Sequence, residues 1–177
     1  DPEIVEEVML THKASGLKVL AAPPRPEYAE NVTAEQFEAV LKYLRRLYKY
    51  VVVDASSTLS DTVLGALDAS DVIVLITTQE IPAIKNARLF LDLANGLKID
   101  RKRILFVVNR FDKRIGILPE KISESFKQEI AAVIPFDDHV VVPSINRGIP
   151  FMMTERSKPI SKSILALAES IKQRIVE

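Results

Sequence analysis

Short apolar runs alternate with helical patterns along almost the whole chain. The densest run is YVVVDASST at 50–58, where three β-branched valines lead into Asp54 and then into small polar residues. An unbroken apolar run of this length predicts a strand buried on both faces of a parallel sheet. VIVLIT at 72–77 and ILFVV at 104–108 repeat the pattern, and a shorter strand is expected at 132–135. LKVLAA at 17–22 predicts an earlier strand, stopped by Pro23, Pro24 and Pro26, which cannot continue a central ladder. Between the strands the apolar positions recur at helical spacing. A short acidic helix is expected at 2–11, with Ile4, Val5, Val8 and Met9 on one side. Thr33 and Gln36 have capping-box spacing ahead of Phe37, Val40, Leu41, Leu44 and Tyr48. A small helix ends near Ala69. Pro82 precedes a long helix with Phe90, Leu93, Ala94 and Leu97 on one face, ending at Gly96 or in the turn just after it. Further on, a helix is expected at 119–131, and a loop or a turn of helix broken by Pro143 at 137–150. A closing helix presents Ile164, Leu167, Ala168, Ile171 and Ile175. Strands alternating with helices predict an α/β fold, a mostly parallel sheet with helices on both faces, read as a single domain over 1–177.

Composition narrows the partners. A chain of 177 residues buries a sizeable core. Lys+Arg and Asp+Glu are both 24, so no polyanionic partner is called for and there is no specific nucleic-acid signal. Arg45, Arg46 and Lys49 read as a solvated helix face. With no cysteine there is no disulfide framework and no thiolate metal site, which suits a cytoplasmic protein. Only two histidines are present, His12 and His139, so a multi-His metal centre is not expected. No apolar run approaches the roughly 20 residues of a transmembrane segment. The last helix mixes Glu169, Lys172, Arg174 and Glu177 and lacks a bulky aromatic anchor, so it reads as a core-packing helix rather than one lying on a membrane.

Three signals carry chemistry. Asp54 sits at the carboxyl end of its expected strand, where α/β folds place ligands. It either holds Mg²⁺, directly or through a water, or caps the segment that follows. The second signal is NRFD at 109–112, also at a strand end. Asn109 there either bonds a purine edge or ties neighbouring loops, and the Arg110 stem can pack along a base plane; the competing reading is a plain turn. The third is IPFD at 134–137 with SINRGIP at 144–150. Pro135, Phe136 and Asp137 either present backbone amides to a base or make an ordinary strand-to-helix connection. Thr77, Thr78 and Gln79 end another strand and are expected to satisfy local backbone groups; the competing reading is that they approach a phosphate or a partner subunit. No G-x-x-x-x-G-K-[ST] loop occurs, and the five glycines, 16, 65, 96, 116 and 148, are isolated. A phosphate-cradling loop needs clustered glycine so that N–H groups converge on the anion.

In order and spacing these motifs resemble the C-terminal two-thirds of the MinD/ParA superfamily of deviant-Walker ATPases. SGLKVLAAPPRPE at 15–27 and LDASDVIVLITTQEIPAIKNAR at 67–88 resemble the CpaE/TadZ branch, which serves type IVb (Flp) pilus assembly. The resemblance implies a P-loop NTPase-like fold, incomplete at its N-terminus, whose Walker A loop lies upstream of this sequence. It implies ATP and Mg²⁺ as cofactors. Asp54 matches the Walker B acid, residues 55–61 the switch region, Asn109 and Arg110 the pair beside adenine, and Pro135, Phe136 and Asp137 the loop flanking the base. It also implies a homodimer through the nucleotide face, pilus or secretion assembly proteins as partners, and a cytoplasmic protein held at a pole or membrane by those partners. Two other functions compete. One is a non-catalytic pseudo-ATPase scaffold. The other is a GTPase, because Asn109 and Asp112 have the spacing of the N-K-x-D guanine signature.

Overall fold

The computed structural model describes residues 2–23, 25 and 32–176. Pro24 and Pro26 of the expected strand stop, and Glu27 at the end of the 15–27 motif, lie outside them. The chain divides into two compact units, Asp1–Ser70 and Asp71–Glu177.

In the first unit, helix α1 (Pro2–Val8) leads into a small hairpin, β1 (Leu10–Thr11) and β2 (Lys18–Val19). The strands are antiparallel, with Leu10 opposite Val19 and Thr11 opposite Lys18. Gly16 turns the hairpin at φ +72°, a conformation that costs other residues a Cβ clash. The six-residue strand expected at 17–22 thus shrinks to two exposed residues, because its partner offers only two. Helix α2 (Ala34–Leu47) starts where the capping box predicts. Gln36 N–H donates to Thr33 Oγ1 at 3.2 Å, and Thr33 N–H donates to Gln36 Oε1 at 3.1 Å. Leu41 and Leu44 are buried, and α2 packs against α3 (Asp61–Ala69). Arg45, expected on a solvated face, is exposed but donates to Ala69 O at 2.6 Å and so closes the end of α3.

The strand expected at 50–54 does not form. Residues 50–55 join no ladder, and Val52 is 92% exposed. An apolar run becomes a strand only when neighbours take its N–H and C=O groups, and no described strand pairs with this one.

The second unit holds a parallel three-stranded sheet in the order β3–β4–β5: β3 (Ile73–Thr77), β4 (Ile104–Phe111) and β5 (Ile130–Pro135). The crossovers contain helices α4 (Ile81–Gly96) and α5 (Pro119–Phe126), as parallel strands require. Helix α4 packs on β3, α5 on β5, and the closing helix α8 (Pro159–Val176) also on β5. The central strand is buried from Ile104 to Val108, which is why it reads as a continuous apolar run. Phe106 is fully buried, with its ring 5.4 Å from that of Phe126. Val107, Ile134, Val140 and Ile160 form a second cluster, with Ile164 and Leu167 of α8 against it; of the expected face, Ala168 and Ile175 stay exposed, so only the first part of that helix packs on the core as its pattern suggests.

Helix ends depart most from the sequence reading. Helix α4 ends at Gly96, as expected, and the left-handed residue falls in the turn just after it, at Lys98 (φ +58°). Ile99 N–H donates to Ala94 O at 2.9 Å and Lys98 N–H to Asn95 O at 3.1 Å, a Schellman pair that turns Ile99 into the core. Lys127 (φ +49°) ends α5 in the same way, so α5 stops at Phe126 rather than Ala131 and β5 starts two residues early. The segment 137–150 is not a broken loop. It contains helix α6 (Asp138–Arg147), capped by Asp137, with Pro143 inside it and Gly148 (φ +62°) after it. A four-residue helix, α7 (Phe151–Thr154), follows. Together a good N-cap and a glycine C-cap hold ten residues helical around one missing N–H.

Candidate functional site

Parallel strands end on one edge, so the sheet brings three of the sequence signals together: Thr77 to Gln79 at the end of β3, Asn109 to Asp112 at the end of β4, and Pro135 to Asp137 at the end of β5. The registers of β4 and β5 are offset twice. Phe106 pairs with Ile130 but Val107 with Ala132, so β5 carries one extra residue. Val108 pairs with Val133 but Phe111 with Pro135, so β4 carries the next one. The second bulge undoes the first and falls on Asn109 and Arg110. A bulge bends its strand and re-aims a side chain.

Arg110 takes the left-handed conformation, φ +54°. For a residue with a Cβ this costs roughly 1–3 kcal/mol, so its surroundings must hold it there. Asn109 does part of this by accepting the Arg110 N–H on Oδ1 at 2.9 Å. Beyond the bulge the ladder resumes, with Phe136 N–H donating to Phe111 O at 2.9 Å. The guanidinium of Arg110 lies over the Phe136 ring, 5.0 Å from its centroid. Phe136 is 37% exposed, so the pair forms a flat cation–aromatic platform at the surface. Asp137 is spent locally: its Oδ1 accepts the Val140 N–H at 3.2 Å and caps α6. SINRGIP forms the end of that helix, with Ser144 donating to Ile149 O at 2.7 Å and accepting the Phe151 N–H at 2.9 Å.

Asp112 is spent as well. Its carboxylate accepts the Arg114 backbone N–H at 2.9 Å and grips the guanidinium through both oxygens, at 2.9 Å from Nε and 2.5 Å from Nη2. Those hydrogen bonds from the Arg114 side chain, then from its backbone, lower the Asp112 carboxyl to about 2. The adjacent N–H of Asp112 goes elsewhere, to Gln79 Oε1 at 2.7 Å. Gln79 is 2% exposed, and its Nε2 donates to Ile117 O at 2.6 Å. Gln79 therefore does satisfy backbone groups, as expected of the Thr77 to Gln79 stretch, but groups far along the chain rather than local ones. Spacing along a sequence carries no sign of that pairing. The Asp112–Arg114 pair had a local sign, an Asp-x-Arg turn pattern.

Asp54 belongs to the first unit and is exposed on the unpaired stretch. Among the described residues no group of three or more His, Asp or Glu side chains is placed to hold a metal ion. Among the described residues Gly16, Gly116 and Gly148 take positive φ singly, and they form no cluster of glycine amides. Among the described residues no helix is long and apolar enough to cross a membrane.

No family model matches the chain. It is 27% identical over 174 residues to the septum site-determining protein MinD of Thermotoga maritima, covering 94% of this chain and 63% of that protein. It thus spans less than two thirds of that relative's length. Among solved structures it resembles a ParA family ATPase from Chlorobium tepidum, with a TM-score of 0.85 at 21% identity over 94% of this chain and 70% of the other. It also resembles MinD from Pyrococcus horikoshii complexed with Mg-ADP, with a TM-score of 0.80 at 20% identity over 94% and 68%. The fold is the α/β fold of the MinD/ParA P-loop NTPases, a parallel sheet flanked by helices. These likenesses, in sequence to MinD and in fold to a ParA family ATPase, support homology with the MinD/ParA superfamily.

Proposed function

We propose that this chain is the base-binding part of a MinD/ParA-like ATPase and that the adenine of ATP stacks at the Arg110–Phe136 platform. The observation that carries the reading is the strained Arg110 on a compensated bulge, held over an exposed aromatic ring at the carboxyl edge of a parallel sheet. Strain kept at such an edge suits a ligand site. Asn109 borders the base, and Pro135 and Phe136 flank it, with Asp137 anchoring that loop to α6. Mg²⁺ and its waters would sit at Asp54, and the phosphates would be held by a glycine-rich loop supplied upstream or by a partner. The P. horikoshii relative, complexed with Mg-ADP, supports this choice of ligand. ATP is bound between the two subunits of a homodimer, and the dimer positions pilus-assembly machinery as in the CpaE/TadZ branch. The protein is cytoplasmic and reaches a pole or membrane through its partners.

Adenine is favoured over guanine because Asp112, the residue that would read guanine, already has both oxygens on Arg114. A pseudo-ATPase scaffold is the second reading, favoured by the lack of a phosphate-cradling glycine cluster in these 177 residues. Calorimetric titration of the chain with ATP and then GTP in Mg²⁺ tests both. ATP binding tighter than GTP supports the adenine platform; equal or tighter GTP binding overturns it. No binding by this chain, together with none by a version extended upstream, leaves the scaffold.

A further inference from the structure

The loop that follows β4 runs from Asp112 to Ile117 and is tied at both ends by one side chain from the turn after β3. Gln79 accepts the Asp112 N–H and donates to Ile117 O, while its own residue is 2% exposed. Within this loop Lys113 to Ile115 make one 3₁₀ turn and Gly116 takes φ +78°. Apart from Gln79, the loop is held by its own 3₁₀ bond, Ile115 N–H to Asp112 O at 3.1 Å, and by the Asp112–Arg114 pair, whose Arg114 side chain is 84% exposed. An ion pair that open to water restrains little. A buried amide with both ends bonded restrains much more, because freeing either partner leaves a desolvated polar group. Asp112 lies two residues beyond Arg110, so the Gln79 bond also limits how far the end of the bulge can relax.

Resting on the adenine reading above, we infer that Gln79 is a positioning residue for base selection: it holds Asp112 turned toward Arg114 and keeps the Arg110 bulge in register with Phe136. A glutamine suits this task because one side chain must donate and accept at once. A glutamate keeps the bond to Asp112 N–H and loses the one to Ile117 O. A leucine fills similar space and loses both.

The test compares the chain with its Gln79→Leu and Gln79→Glu variants by titration with ATP, GTP and UTP in Mg²⁺, and by amide exchange over 109–118. UTP serves as the probe that shares the triphosphate and ribose but not the purine. The expected result is that Gln79→Leu lowers the preference for ATP over UTP about tenfold, the loss of two buried neutral bonds. UTP affinity stays unchanged, exchange at 112–117 speeds up, and exchange in Ile104 to Val108 stays slow. Gln79→Glu falls between. A general loss of stability would lower all three affinities together, and that result overturns the inference. So does a Gln79→Leu variant that keeps the full ATP preference. If neither the unaltered chain nor a version extended upstream binds nucleotide, the adenine reading fails and this inference fails with it; if either binds and prefers ATP while its Gln79 variants match it, only the inference fails.

Discussion

Asp112 shows how a single residue can be removed from the pool of ligand groups by its own neighbour. Its carboxyl is lowered to about 2, first by the Arg114 side-chain hydrogen bonds and then by the Arg114 N–H. The sign follows directly. A depressed folded pKa means that the pairing contributes fully above the unfolded value near 3.9 and is lost as pH falls through about 2. NMR titration of the Asp112 carboxyl is expected to show a midpoint near 2, moving up toward 3.9 in Arg114→Ala; a midpoint already near 3.9 in the unaltered chain counts against the pair. Arg110 is the counterpart case. Its φ of +54° is a tertiary product, since the sequence places an ordinary arginine there and only the bulge explains the turn. The NR pair itself was legible as a candidate because of its place at a strand end. The stacking of Arg110 on Phe136, 26 residues away, was not.

At the scale of elements, two valine-rich runs have opposite fates. Val107 and Val108 lie in a strand with a partner on either side and are buried, whereas the equally apolar 51–53 run has no ladder and leaves Val52 at 92% exposure. The cost of shortening a side chain should follow that difference rather than the residue type. Phe106→Ala, which empties a fully buried site against Phe126, is expected to lower unfolding free energy by about 3–5 kcal/mol. Val52→Ala is expected to stay within about 0.5 kcal/mol. Urea unfolding of the two variants checks this, and a large loss at Val52 means that the run is covered in solution. The ends of the elements follow the same logic. Lysines 98 and 127 adopt the left-handed turn that glycine usually takes, because burying Ile99 and Phe126 offsets the strain.

For the molecule as a whole, the three signals of the second unit converge because β3, β4 and β5 run parallel and end on one edge. The proposed dimer belongs to this scale too. Sedimentation of the chain, or of a version extended upstream, is expected to shift from monomer to dimer on adding ATP with Mg²⁺, with no shift on adding UTP. A monomer throughout removes the nucleotide-face dimer. The sequence by itself determined the alternation of strand and helix, the Thr33 capping box, the central apolar strand and the contact of Ile164 and Leu167 in the last helix with the core, because each follows from a pattern of neighbours within a few residues. Only the tertiary structure decided which apolar run became a strand, where the left-handed residues fall, how Gln79 joins Asp112 to Ile117, and that Arg110 lies over Phe136. Those depend on which backbone groups and side chains meet across the sheet, and local pattern carries no record of that.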